Sequence, residues 1–256
     1  MQKIIICIIA GLGAGLGTGF AGMSAAAVIS PMLITFLDMD PYMAVGIALA
    51  SDVLASAASA VTYGRNKNLD IRNGIIMMLT VLCFTMMGSY VASVVPKTTM
   101  GTFSVFMTLL LGIKFIVKPV TEPKKRLSCA TAKQKAVRSV ACGAVVGFIC
   151  GFVGAGGGMM MLIALTSILG YELKTAVGTS VFIMSATALT GAASHFVIGG
   201  MPDAAALVIC IISTLIFAQL AAVIANKAKP KTLNRVTGAI LVVLGAAILG
   251  VNYFGG

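Results

Sequence analysis

Apolar residues fill this chain in runs long enough to cross a lipid bilayer, and polar residues are confined to short stretches between them. The runs are Met43–Tyr63, Ile75–Val95, Met100–Val117, Leu173–Ile198, Ala204–Ala225 and Val236–Phe254. Each approaches or exceeds the roughly 20 apolar residues that a spanning helix needs. Two more apolar stretches, one from Lys3 to Leu37 and one beginning at Val137, are longer and rich in glycine. The pattern predicts an all-α polytopic membrane protein.

The pattern also occurs twice. Gly11, Gly15, Gly19 and Gly22 recur 132 residues later as Gly143, Gly147, Gly151 and Gly154, and Ala44-Val45-Gly46 recurs as Ala176-Val177-Gly178. Aligned at that offset without a gap, 11 of the 53 positions from Gly11 to Tyr63 are identical. Each half reads as a long Gly-rich stretch followed by three ordinary spans. The expected division is a first transmembrane repeat over residues 1–118, a basic cytoplasmic linker over 119–138, and a second repeat over 139–256. Repetition in so apolar a chain points to a transporter built from two related halves, with its site where they meet.

The long stretches do not fit as single helices. Lys3–Leu37 would extend about 52 Å at 1.5 Å per residue, against a hydrocarbon core of about 30 Å. Each is interrupted midway, at Gly22-Met23-Ser24 and at Gly154-Ala155-Gly156-Gly157-Gly158. Glycine costs about 1 kcal/mol in a helix interior, so such clusters read as breaks. Either each stretch is one kinked span, or it is a hairpin of two short helices. Loop charge favours the hairpin. It gives each half three full crossings, inverts the second half and puts both termini outside. The loops 64–72, 118–138, 170–175 and 226–235 then lie inside and carry 15 of the 18 cations, as the positive-inside rule requires. The kinked-span alternative puts Lys227, Lys229, Lys231 and Arg235 outside. Inverted repeats, each a Gly-broken hairpin followed by three transmembrane helices, are therefore expected.

Composition removes other classes. Only 10% of residues are charged and 59% are hydrophobic, whereas soluble domains carry about a quarter charged residues. The net charge of +11 belongs to membrane orientation and not to nucleic acid. Ile4–Ala10 runs straight into the first Gly-rich repeat and reads as mature structure, not a cleavable leader. The six cysteines form no CxxC or other metal-ligand spacing, and no disulfide, cofactor or metal is expected. No Gly-x4-Gly-Lys-Ser/Thr sequence occurs, so this chain hydrolyses no ATP through that motif. An intramembrane enzyme would want paired acids or a His-rich motif, and the spans offer one Asp and one His; no enzymatic role is expected.

The breaks are the first candidates for chemistry. A short helix that starts in mid-membrane has unpaired amides and a positive dipole end. Lipid cannot satisfy these groups, so they must face protein or a watery cavity. Two such ends brought together would hold an anion without any Lys or Arg. The candidate substrate-binding residues are Gly22, Met23 and Ser24 in the first break and Gly154, Ala155, Gly156, Gly157 and Gly158 in the second. Hydroxyls one segment later join them: Ser51, Thr179 and Ser180. These can bond an oxyanion or bond back to their own helix. Asp52 is the only acid inside a hydrophobic span, near mid-depth; a carboxyl there is functional or paired by default and would suit proton coupling. His195, the only His, lies towards the outer face and is a candidate gate. The Gly-x3-Gly ladders read as close helix packing, the usual use of small residues at this spacing. The 16 methionines read as apolar filling, although thioethers also bind soft metals.

The same residues carry a resemblance. Gly147-x3-Gly151-x2-Gly154-Ala155-Gly156-Gly157-Gly158, then Ala176-Val177-Gly178-Thr179-Ser180, then Gly191-x3-His195-x3-Gly199 with Asp203 beyond, resemble the TauE/SafE family of sulfite exporter-like permeases. The likeness covers nearly the whole chain. The first half departs from the pattern: Ala25, Ala26 and Ala27 replace glycines, and Asp52 and Tyr63 are unusual, although Pro31 matches. The resemblance implies a multi-pass protein of the bacterial cytoplasmic membrane that moves small sulfur-containing anions such as sulfite or sulfonates. The expected partners are a small anion and the lipid bilayer, with the protein a monomer or homodimer. The alternative is a soft-metal-cation permease using Asp52, His195 and Met side chains.

Overall fold

In the computed structural model, residues 2–94, 113, 116–117, 132–153, 157–199 and 202–254 are described, and among them every regular element is helical. The first half contains α1 (Gln2–Ala21), α2 (Ala26–Leu37), α3 (Pro41–Arg65) and α4 (Ile71–Val94). The second contains α5 (Ala132–Val153), α6 (Gly157–Ile163), α7 (Leu173–Gly199), α8 (Ala204–Lys227) and α9 (Pro230–Phe254). A π-helical turn, Ala164–Ile168, continues α6. Most of Met100–Val117 and the linker lie outside the described residues.

Local chemistry sets several helix starts. Asp40 accepts from the Met43 amide at 3.1 Å, with Pro41 as the first residue of α3. Asp70 accepts from the Asn73 amide at 3.0 Å, and Asp203 from the Ala206 amide at 3.0 Å. An N-cap carboxylate satisfies an amide that the helix leaves unpaired, and Pro at the first position lacks the donor anyway.

The faces of the helices are those of a membrane protein. On α8 the large residues Val208, Ile212, Ile216, Leu220 and Ile224 are all more than half exposed. Its buried face is Ala206, Cys210, Ser213, Thr214, Ala218, Ala221, Ala222 and Ala225. On α1, Ile4, Ile5, Ile8 and Ile9 point out while Cys7, Ala10, Ala14 and the glycines point in. A soluble helix reverses this arrangement. Here lipid accepts the branched side chains, and small residues let backbones approach. Among the described residues, four helices are long and apolar enough to cross a membrane: Gln2–Ala21, Met43–Arg65, Leu173–Val197 and Ala204–Lys227.

The Gly ladders work as packing seams. A Cβ on Gly11 would strike Ser213, one on Gly15 would strike Thr214 and Phe217, and one on Gly19 would strike Ala218 and Ala221, so α1 runs parallel to α8 in direct backbone contact. Gly143 and Gly147 of α5 meet Met77, Thr80, Val81 and Phe84 of α4 in the same way. The first helix of each half thus packs on the fourth helix of the other. At the centre, α3 pairs with α7: Gly46 touches His195 and Phe196, Leu49 touches Gly191, and Tyr63 touches Gly178. The rising numbers on one helix meet falling numbers on the other, so these two helices are antiparallel. Lys3, at the start of α1, lines one cavity of about 350 Å³ with Leu37, Met39, Asp40, Met43 and Asp203. The beginning of α1 and the end of α2 therefore lie at the same end of the molecule. Lys3 also donates to Asp203 there, holding that carboxyl below the usual carboxylate range.

Candidate functional site

The first break is a shaped turn. α1 closes with Gly22 in the left-handed region, at φ +61. The Gly22 amide donates to Thr18 O at 2.9 Å and the Met23 amide to Gly17 O at 3.3 Å. This crossed pair satisfies the last carbonyls of the helix and needs a residue that tolerates positive φ. Thr18 Oγ1 donates to Met23 O at 2.9 Å and fixes the exit of the turn. Met23 is wholly buried and Ser24 nearly so. Ser24 Oγ then accepts from the Ala26 amide at 3.3 Å as α2 begins.

The second half meets this turn directly. A Cβ on Gly158 would lie 2.6 Å from Ser24 N, 2.7 Å from Met23 Cα and 2.9 Å from Gly22 O. Gly158 therefore sits with its backbone on the first break. Ser180 Oγ, from α7, donates to Gly22 O at 2.9 Å. Two segments more than 130 residues apart are thus in contact deep in the fold. Gly157 opens α6; Gly154, Ala155 and Gly156 lie outside the described residues.

Three candidate hydroxyls part company. Ser180 reaches the break. Ser51 instead donates to Ile47 O of its own helix at 2.8 Å. Thr179, one residue from Ser180, accepts from the Asp70 amide at 3.2 Å and so faces the α3–α4 loop. Adjacent residues on a helix point about 100° apart, so they serve different neighbours.

Asp52 is fully buried on α3. Ser24 Oγ donates to its Oδ2 at 2.8 Å, Ser56 Oγ donates to its Oδ1 at 2.7 Å, and the Ala25 amide also bonds it. Asp52 is therefore joined to the first break. Sequence reasoning missed Ser56, although its place four residues on, one turn along the same face, was the available signal. His195 is half-buried beside Gly46. Tyr63, at the position equivalent to His195, is wholly buried and donates to Gly19 O at 2.8 Å. Met161 and Met77 are core residues, but Met86 and Met87 are exposed and lie on the apolar surface. Among the described residues no group of three or more His, Cys, Asp or Glu comes together.

A second polar cluster was not foreseen. Tyr171 Oη donates to Asp70 Oδ2 at 2.6 Å and Asn73 Nδ2 donates to the same oxygen at 2.7 Å. Nearby, Asn68 Nδ2 donates to Asn226 Oδ1 and Lys174 Nζ to Asn226 O, both at 2.7 Å. These bonds tie the α3–α4 loop to the second half. Burial opposes ionisation of Asp70, but the bonds from Tyr171 and Asn73, with Lys135 nearby, outweigh it and hold the carboxyl below its ordinary value of 3.8. A carboxyl depressed in the folded state gives stability that is present above its unfolded value and lost as pH falls through its folded value. Tyr171→Phe should therefore cost about 1 kcal/mol at pH 7, with a smaller deficit below the carboxylate range. Melting of both proteins in detergent at pH 7, each with and without Asp70→Asn, measures this; an equal deficit with and without the Asp70 carboxylate would show that the Tyr171–Asp70 bond is not its source.

A chain with lipid-facing helices, two halves in reciprocal contact and a helix break buried where they meet is a multi-pass membrane transporter. It belongs to the family described as sulfite exporter TauE/SafE, whose model matches residues 7–248. Among similar proteins, the probable membrane transporter protein YunE of Bacillus subtilis is 26% identical, over 97% of this chain and 98% of its own length. The probable membrane transporter protein YdhB of the same organism is 22% identical, over 83% and 86% respectively. The probable membrane transporter protein MJ0441 of Methanocaldococcus jannaschii is 22% identical, over 95% and 94%.

Proposed function

We propose that this protein is a secondary transporter of a small, sulfur-containing anion of the sulfite or sulfonate type, working by alternating access between two inverted halves. The observation that carries the reading is the seating of Gly158 on Gly22–Ser24. It seats the start of α6 on the first break, and neither Gly22–Ser24 nor Gly154–Gly158 has a Lys or Arg close by in sequence, which leaves backbone amides and hydroxyls as the means of holding negative charge. The antiparallel α3–α7 pair and the reciprocal α1–α8 and α5–α4 seams support inversion of the second half. Asp52 is the group assigned to proton coupling, being the carboxyl that the described spans bury.

Proteoliposomes test the reading. Labelled sulfite should enter in a saturable way and labelled Ni²⁺ should not. Uptake of the metal without the anion would replace this reading with a soft-cation permease that uses Asp52, His195 and methionines. Topology has its own check. A cysteine at position 229 should react only from the cytoplasmic side and one at position 40 only from outside. Labelling of position 229 from outside intact cells would overturn the inverted arrangement.

A further inference from the structure

A polar seam between α3 and α8 leads from Asp52 towards one end of the molecule. Thr62 bonds Gln219 and Asn68 bonds Asn226, at sequence separations of 157 and 158, so the two helices run parallel at a steady register. Carried back along both helices, that register brings Ser59 level with Ile216 and Ser56 level with Thr214. Ser59 and Thr214 are wholly buried, and neither hydroxyl has a hydrogen-bond partner among the described residues. Ser51, Thr62 and Ser213 bond back to the carbonyl four residues earlier, as hydroxyls in spans usually do; Ser59 and Thr214 do not. A buried hydroxyl left unpaired is costly, and internal water is its usual partner. On α3, Asp52, Ser56, Ser59, Thr62 and Asn66 follow one another at intervals of three or four residues and so share a face. Neighbours at that spacing stand about 5–6 Å apart, a gap that one water can bridge. Ser56 Oγ commits its proton to Asp52 Oδ1 and keeps its lone pairs for a further donor.

We propose that the α3–α8 seam is the proton path to Asp52, with Ser59 and Thr214 holding the water that links Ser56 to Thr62, Gln219 and the Asn68–Asn226 end, the end expected to be cytoplasmic. This rests on the proton-coupling role of Asp52. In the step itself, the water passes a proton to Ser56 Oγ while Ser56 releases its own hydroxyl proton to Asp52 Oδ1. Ser56 ends unchanged, Asp52 ends neutral, and the proton comes from solvent at the loop end. No other titratable group competes. Of the helices packed on α3, α2 has none; Cys210 of α8 donates to Cys7 O of α1; Lys3, Lys174, His195 and Lys227 lie towards the ends of their helices; and none of these acts on Asp52. On α3 itself, Tyr63 donates to Gly19 O.

Stopped-flow infrared spectroscopy of the purified protein tests the path without any transport assay. The carbonyl band of protonated Asp52 is the one that Asp52→Asn removes. After a jump from alkaline to acidic pH, that band should rise about tenfold more slowly in Ser59→Ala and in Thr214→Val than in wild type, the effect of one lost hydrogen-bonded relay step. Its final amplitude and its titration midpoint should not change, because neither hydroxyl touches the carboxyl. Ser59→Thr and Thr214→Ser, which keep a hydroxyl, should rise at the wild-type rate. Both disruptive changes remove a hydroxyl that bonds no described residue, so both variants should purify. Wild-type rates in Ser59→Ala and Thr214→Val, or equal slowing in the hydroxyl-keeping pair, would overturn the path and leave proton coupling standing. A wild-type Asp52 band that does not respond to pH would remove proton coupling and the path together. Failure to carry sulfite would remove the substrate reading without touching either result.

Discussion

Replacement of Gly158 by Ala is expected to eliminate transport and to destabilise the purified protein by about 3 kcal/mol, the upper part of the usual overpacking range. The new Cβ would stand 2.6 Å from Ser24 N, 2.7 Å from Met23 Cα and 2.9 Å from Gly22 O. All three are backbone atoms, and no side chain can rotate away to make room. The turn itself is held by the crossed bonds at Gly22 and Met23 and by Ser180 on Gly22 O. Relief therefore requires the start of α6 to move off the first break, which dismantles the contact on which the proposed site depends. Gly→Ala in a helix would otherwise stabilise by about 1 kcal/mol, so the sign of the effect is informative. Sulfite uptake and melting of the variant decide it. A Gly158→Ala protein with wild-type uptake would remove this contact from the mechanism.

The second large effect is expected at the α1–α8 seam. Gly19→Val would put a Cβ 2.5 Å from Ala218 O and 2.5 Å from the Ala221 side chain, with two further methyls beyond it. Lipid gives no hydrophobic drive to hold these helices together; close packing of small residues does. The variant should not be recovered as a monodisperse species. Gly250→Ala is the matched control, because no described residue lies within 4 Å of its added Cβ. It should fold normally and gain up to about 1 kcal/mol. Fluorescence-detected size exclusion of both variants measures this, and a normal profile for Gly19→Val would mean that the seam is not needed for folding.

These effects follow from a division between what composition fixes and what packing fixes. The sequence by itself determined the solvent: runs of apolar residues with so few charges can fold only in lipid. It also displayed the repeat, because glycines at a constant offset mark backbone positions that recur, and it located the first break, at Gly22. The role of the Gly ladders was legible for the same reason, since a residue without a side chain at every turn is a site of close approach. Asp52 stood out because a carboxyl in a span demands a partner.

Which partner it takes was decided by the tertiary structure. Ser24 is 28 residues from Asp52 and reaches it only because the chain turns at Gly22, where a left-handed residue ends α1. Ser51 and Ser180 look alike in sequence, yet one bonds its own helix and the other crosses to Gly22. The Tyr171–Asp70 bond joins residues 101 positions apart that share no local pattern. Hydropathy and spacing assign a residue to a helix, but a rotation of about 100° per residue sets which neighbour it meets. For small hydroxyls and glycines, whose burial alone says little about direction, only the packing of one half against the other fixes that angle.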